Sequence, residues 1–243
     1  MSSPFSLFKW EAVFTDWKIF GGGLLVTVKV GILALIVAII IGIVVGVLST
    51  SKLKFFKAIG RVYVELIQNT PLVIQVFILF NALPYLGIVL NVVSIGVLAL
   101  GVYHGAYVAE VIRAGIGSVS KGQMEAGLSQ GFTFTECMRY IILPQAFKIV
   151  LPPLANQGVA LLKNTSVLAM IAGGDLMYSS DSWSSSNMYY GPAYLTTGLL
   201  YFMLCFPLAT LAKKLEEKKS FGNKGKESES EEKILGEKAE GVI

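Results

Sequence analysis

One histidine, two cysteines and charged residues at only 15% of 243 positions are the scarcities that bound this chain. A single histidine leaves no way to assemble a nucleophile, base and acid, and no phosphate loop of the form GxxxxGK[ST] occurs. The chain is therefore expected to be no enzyme and not to hydrolyse ATP itself. Cys137 lies in a polar stretch and Cys205 in an apolar run, so no structural disulfide is expected. Without a ligand cluster, no metal or cofactor is expected either. Low charge combined with 54% hydrophobic residues excludes an ordinary soluble domain and points to an integral membrane protein. The net charge of +4 is no sign of nucleic acid here, because the basic residues sit beside apolar segments. Residues 1–20 lack a basic start and a small-residue cleavage site, so they are not read as a signal peptide. Trp10, Trp17, Phe5, Phe8, Phe14 and Phe20 make this stretch an aromatic segment expected to lie along the outer interface.

What the chain does have is long apolar runs. About twenty apolar residues cover about 30 Å of hydrocarbon at 1.5 Å per residue, and five runs qualify: 23–48, 59–83, 92–115, 144–172 and 192–211. The expected fold is all-α with five transmembrane helices. Lys52, Lys54, Lys57 and Arg61 lie between the first two runs, and Lys213, Lys214, Lys218 and Lys219 follow the fifth. The loop 81–91 has no charge, and the loop before the fifth run has only Asp175 and Asp181. Because basic residues are retained inside, the N-terminus is expected outside and the C-terminus inside. Residues 1–20 then form an extracytoplasmic segment, 21–215 the transmembrane domain and 220–243 a Glu/Lys/Ser-rich disordered cytoplasmic tail.

The polar stretch 117–143 between spans three and four falls on the cytoplasmic side. A short helix over 121–129 is expected to stop at Gly131, since glycine takes the left-handed conformation at no steric cost. Thr133 followed by Glu136 has the pattern of a capping box that starts a second helix. Pro144 marks the junction at which the chain re-enters the membrane, and Gln145 is placed to cap that helix or touch the hairpin.

Glu125, Ala126, then Gly131, Ile141, Leu143 and Pro144 stand at the spacings of the EAA signature, and the chain resembles the ATP-binding cassette importer permeases that carry it. The departure is Gly127, where the signature has a second alanine. Glycine there suggests a looser helix, by up to about 1 kcal/mol. The wider match, AYVAEVIRAGIGSVSKGQMEAGLSQGF with ILPQAF, LPPLANQG and LLKNTS, is similar to the polar amino acid branch. The resemblance implies the transmembrane permease subunit of an ATP-driven amino acid importer in a bacterial cell membrane. Its implied partners are a cytoplasmic ATP-binding subunit, an extracellular solute-binding protein and a second permease, identical or homologous. Gln123, Glu125, Ala126, Gly127, Gly131, Phe132, Leu143 and Pro144 are the expected ATPase-coupling residues.

Polar residues inside the spans are the remaining informative minority, because charge at the bilayer centre costs about 2.5 to 3.5 kcal/mol or more. Tyr103, Tyr107, Glu110 and Arg113 share a helical face, and Glu110 with Arg113 is expected to form a structural ion pair. Pro71 is expected to kink span two. Lys163 lies about 16 Å beyond Pro152 and Pro153, near the midplane. The expected substrate pathway comprises Gln68, Asn69, Thr70, Tyr107, Asn156, Lys163, Asn164, Thr165 and Ser166, with Lys163 available to a carboxylate. The other reading of Lys163 pairs it with Glu65 or Glu110. Gln68 and Asn69 replace an arginine and a glycine common in the family. His104 is read as a packed, hydrogen-bonded residue.

An ion-gradient-driven secondary amino acid transporter is the alternative function. It requires paired intramembrane acids and an internal inverted repeat, neither of which the sequence displays. Which amino acid is carried is not legible.

Overall fold

The computed structural model describes residues 5–51 and 53–240, and these are helical with no strand among them. Lys52, the first four residues of the aromatic segment and the last three of the tail lie outside the described residues. The helices are α1 (Leu7–Thr15), α2 (Trp17–Ser49), α3 (Lys54–Gln68), α4 (Leu72–Tyr85) and α5 (Val92–Gly117). They continue with α6 (Lys121–Ser129), α7 (Phe134–Glu136), α8 (Leu143–Asn164), α9 (Leu176–Asn187) and α10 (Tyr190–Glu240). A π-helical turn, Cys137–Ile142, joins α7 to α8, and a 3₁₀ segment, Thr165–Ile171, follows α8.

Among the described residues, three helical stretches are long and apolar enough to cross a membrane: Trp17–Ser49, Val92–Gly117 and Tyr190–Glu217. Two bent pairs bring the total to five, if each is one span. Span two is therefore not the single kinked helix expected over 59–83. α3 and α4 meet at 101°, because Pro71 can neither donate a helical hydrogen bond nor tolerate the preceding turn. Gln75 Nε2 donates to the Ile67 and Thr70 carbonyls at 2.9 and 3.1 Å, replacing backbone bonds lost at this corner. The chain from α7 through the 3₁₀ segment bends by 45° into α9. Pro144, the expected junction, stands at the second residue of α8, directly after the π-helical turn. Its ring would clash with the Tyr140 carbonyl in a regular α-helix, and the π-helical turn, widened by one residue, lies over that position.

Small residues bring the central helices together. The buried stripe of α2 includes Thr27, Val30, Ala34, Ala38, Gly42 and Gly46 at intervals of three or four, while Leu25, Ile32, Ile36, Ile40 and Ile43 stay exposed as a lipid-facing surface requires. Gly42 and Gly46 seat Val108 and Ile112 of α5, and Gly101 and Gly105 of α5 seat Val37 and Ile41 of α2. Backbones can approach this closely only where a Cβ is missing. Gly21 and Gly22 have nothing within 4 Å of a notional Cβ.

A second apolar cluster joins Val13 of α1 and Phe20 of α2 to Leu176 and Trp183 of α9 and Ala193 and Leu200 of α10. Asp16 Oδ2 accepts the Trp183 indole N–H at 2.7 Å. The N-terminal segment therefore packs against the chain instead of only lying along an interface, although Phe5, Phe8, Phe14 and Trp17 remain exposed. α10 continues to Glu240, so the backbone over 220–240 is helical where a disordered tail was expected. Glu and Lys are good helix formers, and helix propensity accumulates along such a run even without an apolar face.

Candidate functional site

The polar stretch folds into a helical hairpin locked at both sides of its turn. Gly131 has φ of 86°, and the Phe132 N–H bonds the Gly127 carbonyl at 3.2 Å while the Gly131 N–H bonds the Leu128 carbonyl at 3.1 Å. This is the Schellman pair of bonds with glycine at its left-handed position. Across the turn, Thr133 Oγ1 accepts the Glu136 N–H at 3.3 Å, and Glu136 Oε2 accepts the Thr133 N–H at 2.8 Å, completing the expected capping box. The bond from the Thr133 N–H, joined by one from the Thr133 hydroxyl, holds the Glu136 carboxyl below the usual carboxylate range. Gln145 Nε2 donates to the Ile141 carbonyl at 2.8 Å and reaches Gln123 Oε1 at 3.4 Å, tying the start of α8 to α6.

Of the expected coupling residues, Gln123, Glu125, Ala126, Gly131, Phe132, Leu143 and Pro144 are exposed. Leu128, Phe134 and Tyr140 of the same stretch are exposed as well. Gly127 faces inward instead. A Cβ there would lie 2.6 Å from Cys137 Sγ and 2.8 Å from Ile141 Cδ1, so the glycine allows α6 to close on the π-helical turn. The looser helix expected from Gly127 is thus a tighter hairpin. Cys137 and Cys205 are both free and buried.

The expected pathway residues fall into three groups. Lys163 and Ser166 share a cavity of ≈ 290 Å³ with Met177 and with Tyr194, Thr197 and Tyr201 of α10. Lys163 is exposed on the single chain. The acids expected as its other partners are taken by their own helices: Arg61 Nε donates to Glu65 Oε1 at 2.7 Å and Arg113 Nε to Glu110 Oε2 at 2.8 Å. Asn164 and Thr165 turn away from this cavity, since consecutive helical residues project in different directions. Asn164 Nδ2 donates to His104 Nε2 at 3.1 Å, and His104 Nδ1 donates to Gln157 Oε1 at 3.3 Å, which assigns the neutral tautomer. His104 is 2% exposed, packed between α5 and α8 as expected. Thr165 is fully buried, with its hydroxyl donating to the Leu162 carbonyl at 2.8 Å and 3.4 Å from Tyr201 Oη. Asn156 is exposed on α8.

The third group lies on α3 and α5. Asn69 Nδ2 and the Thr70 hydroxyl bond back to the Glu65 and Leu66 carbonyls, so they finish α3. Gln68 Nε2 reaches the Ala106 carbonyl at 3.5 Å, and the Tyr103 and Tyr107 hydroxyls are 3.1 Å apart. Sequence reasoning missed Gln157, Tyr194 and Tyr201. The pairing of Gln157 with His104 spans 53 residues, and Tyr194 and Tyr201 looked like part of an aromatic span. Asp175 was also passed over. It is fully buried, caps α9 by accepting the Met177 N–H at 3.0 Å, and keeps Oδ1 without a protein partner.

A family model described as binding-protein-dependent transport system inner membrane component matches residues 18–220. The chain is 41% identical over 206 residues to the probable glutamine ABC transporter permease protein GlnM of Bacillus subtilis (strain 168), covering 85% of this chain and 95% of that protein. It is 33% identical to the L-cystine transport system permease protein TcyB of the same organism, covering 83% and 87%. Among solved structures, that of an amino acid ABC transporter with histidines aligns with a TM-score of 0.80 at 32% identity, covering 86% of this chain and 98% of that one. The inward-facing MetNI methionine ABC transporter aligns at 0.58 and 14% identity over 88% and 99%, a likeness of fold alone.

Proposed function

The chain belongs to the family of binding-protein-dependent transport system inner membrane components, and from that premise we propose how it moves its substrate. It is the permease subunit of an ABC amino acid transporter, and ATP hydrolysis belongs to a partner ATPase. Family membership likewise implies a second permease beside it. This reading displaces the ion-gradient-driven alternative.

The finer reading is that the N-terminus lies outside, the hairpin of α6 and α7 faces the cytoplasm of a bacterial cell, and an external solute-binding protein delivers a polar amino acid, with glutamine the leading candidate from the GlnM likeness. The observation that carries it is the hairpin itself: an internally locked turn that presents Glu125, Phe132 and Leu143 outward. A lever must be stiff to transmit work. The Schellman bonds and the capping box remove the freedom a Gly/Ser linker would have. Closure of two ATPase subunits would draw two such hairpins together and tilt α5 and α8, to which each is joined. Lys163 and Ser166, with Tyr194 and Tyr201, would line the pathway between α8 and α10, the ammonium meeting a substrate carboxylate.

Two measurements test this. Co-purification with the candidate ATPase is expected to fail when Glu125 and Gly131 are altered and to persist in the wild type. In proteoliposomes, Lys163→Ala is expected to assemble normally and lose uptake. Wild-type uptake by a Lys163→Ala transporter, or nucleotide-free accumulation by this chain alone, would sink the reading.

A further inference from the structure

A cavity of ≈ 430 Å³ separates α3 from α5 near the end of α5, away from Lys163. Its wall carries Lys57, Arg61, Glu65 and Gln68 from α3 and Glu110 and Arg113 from α5. Each ion pair in it closes on its own helix, Arg61 with Glu65 four residues on and Arg113 with Glu110 three residues back. The pairing is incomplete in a specific way. Arg61 bonds Glu65 Oε1 through Nε, so neither terminal amino group of its guanidinium takes part in that bond, and Glu65 Oε2 is outside it as well. Arg113 holds Glu110 through Nε and Nη2, leaving Nη1 toward other partners.

Facing helices thus offer guanidinium donors and carboxylate acceptors across one space of ligand-binding size. An inorganic anion would use only one of these signs. A free amino acid uses both: its carboxylate matches the forked terminal amino groups of Arg61, and its ammonium, with three donors, matches Glu65 Oε2 and the Glu110 carboxylate. A molecule held that way would bridge α3 to α5. Arg113 lies one turn before α5 ends at Gly117, and α6 of the hairpin begins at Lys121.

We propose that this cavity binds the zwitterionic head of a free amino acid from the cytoplasm, and that by bridging α3 to α5 it restrains the hairpin and slows import as product accumulates. The side of the membrane and the identity of the ligand rest on the function proposed above. The geometry of the cavity does not.

The test uses the complete transporter, with ATPase, binding protein and both permeases, in liposomes holding ATP with or without millimolar L-glutamine inside. Lumenal L-glutamine is expected to slow uptake of labelled glutamine by about fivefold or more, the lower end of ordinary allosteric coupling. Glutaramic acid, which lacks the ammonium, and 4-aminobutanamide, which lacks the carboxylate, are expected not to. Arg61→Gln combined with Glu65→Gln is expected to abolish the inhibition and leave uptake into glutamine-free liposomes at the wild-type rate. Inhibition that survives in this variant, that both analogues reproduce, or that is absent from the wild type overturns the proposal. If the double variant fails to assemble, the analogue comparison on the wild type decides. Equilibrium binding of labelled L-glutamine to the solubilised transporter without its binding protein separates the two readings. Arg61-dependent binding with no ATP-driven uptake overturns the importer reading and keeps the site, whereas uptake with no Arg61-dependent binding overturns the site.

Discussion

Replacing Gly127 by alanine restores the residue that the EAA signature has at this position, and the structure predicts that it destabilises the hairpin. Two effects oppose each other. In an isolated helix, alanine is favoured over glycine by about 0.8 to 1 kcal/mol. Here the new Cβ would stand 2.6 Å from Cys137 Sγ and 2.8 Å from Ile141 Cδ1. Favourable carbon contacts begin near about 3.5 Å, so both distances are repulsive by most of an ångström. The Ile141 methyl can swing aside at little cost. Cys137 is fully buried and its sulfur has less room to move. Overpacking of this kind costs about 1 to 3 kcal/mol, which leaves a net loss of about 0 to 2 kcal/mol after the propensity gain. Cys137→Ala removes the obstructing atom, so the Gly127→Ala, Cys137→Ala double variant is expected to regain stability, with a coupling of about 1 to 3 kcal/mol. Thermal unfolding of the purified complex reads this as a midpoint change of about 2 to 4 °C per kcal/mol. A Gly127→Ala protein that is more stable than wild type with Cys137 present refutes the packing account. So does a double variant whose loss equals the sum of the single losses.

Other expectations come from single bonds. Gly131→Val places a β-branched residue at φ 86°, costs at least about 1 to 2 kcal/mol, and should lower uptake and ATPase co-purification more than it lowers pairing of the two permeases, as co-purification of the permeases with each other would report. Gln75→Leu leaves the Ile67 and Thr70 carbonyls without their side-chain donor at the 101° corner; a loss of about 1 to 3 kcal/mol is expected in thermal unfolding, and an unchanged midpoint would mean the corner holds by packing alone. Asp175→Asn keeps the cap on α9 and removes a buried charge with an unpartnered oxygen, so its midpoint should equal or exceed that of wild type, whereas Asp175→Ala should lose about 1 kcal/mol. An asparagine variant as destabilised as the alanine variant would show that the charge itself is needed.

The parts of the site that could be read in advance are those whose partners are close along the chain. Thr133 and Glu136 are three residues apart, and the Gly131 and Phe132 amides meet the Leu128 and Gly127 carbonyls through the intervening turn, so turn chemistry alone announced the locked hairpin. Glu110 and Arg113 form their pair for the same reason. Pro71 announced a break in span two, but a missing amide and a steric clash say nothing of direction, and the 101° angle depends on what α4 packs against. Gly127 was misleading because its partners, Cys137 and Ile141, come from the other arm of the hairpin. The nine expected pathway residues share polarity and depth but not a direction. Asn164 and Thr165 proved committed to His104 and to the Leu162 carbonyl, whereas Tyr194 and Tyr201 were concealed among apolar neighbours.

Taken alone, the order of residues determined that this is a helical membrane protein with little ionisable chemistry of its own, and it determined the hairpin's turn and cap. Hydrophobic run length, charge placement and backbone preference act within a few residues, so no partner element is needed to read them. Only the tertiary structure decided that the Leu176 N–H meets Thr27 across 149 residues, that Lys163 opens toward α10 while Asn164 turns to α5, and that two self-contained ion pairs border one cavity. Those outcomes depend on how closely glycine and alanine let α2 and α5 approach, which is set by the shapes of both helices together.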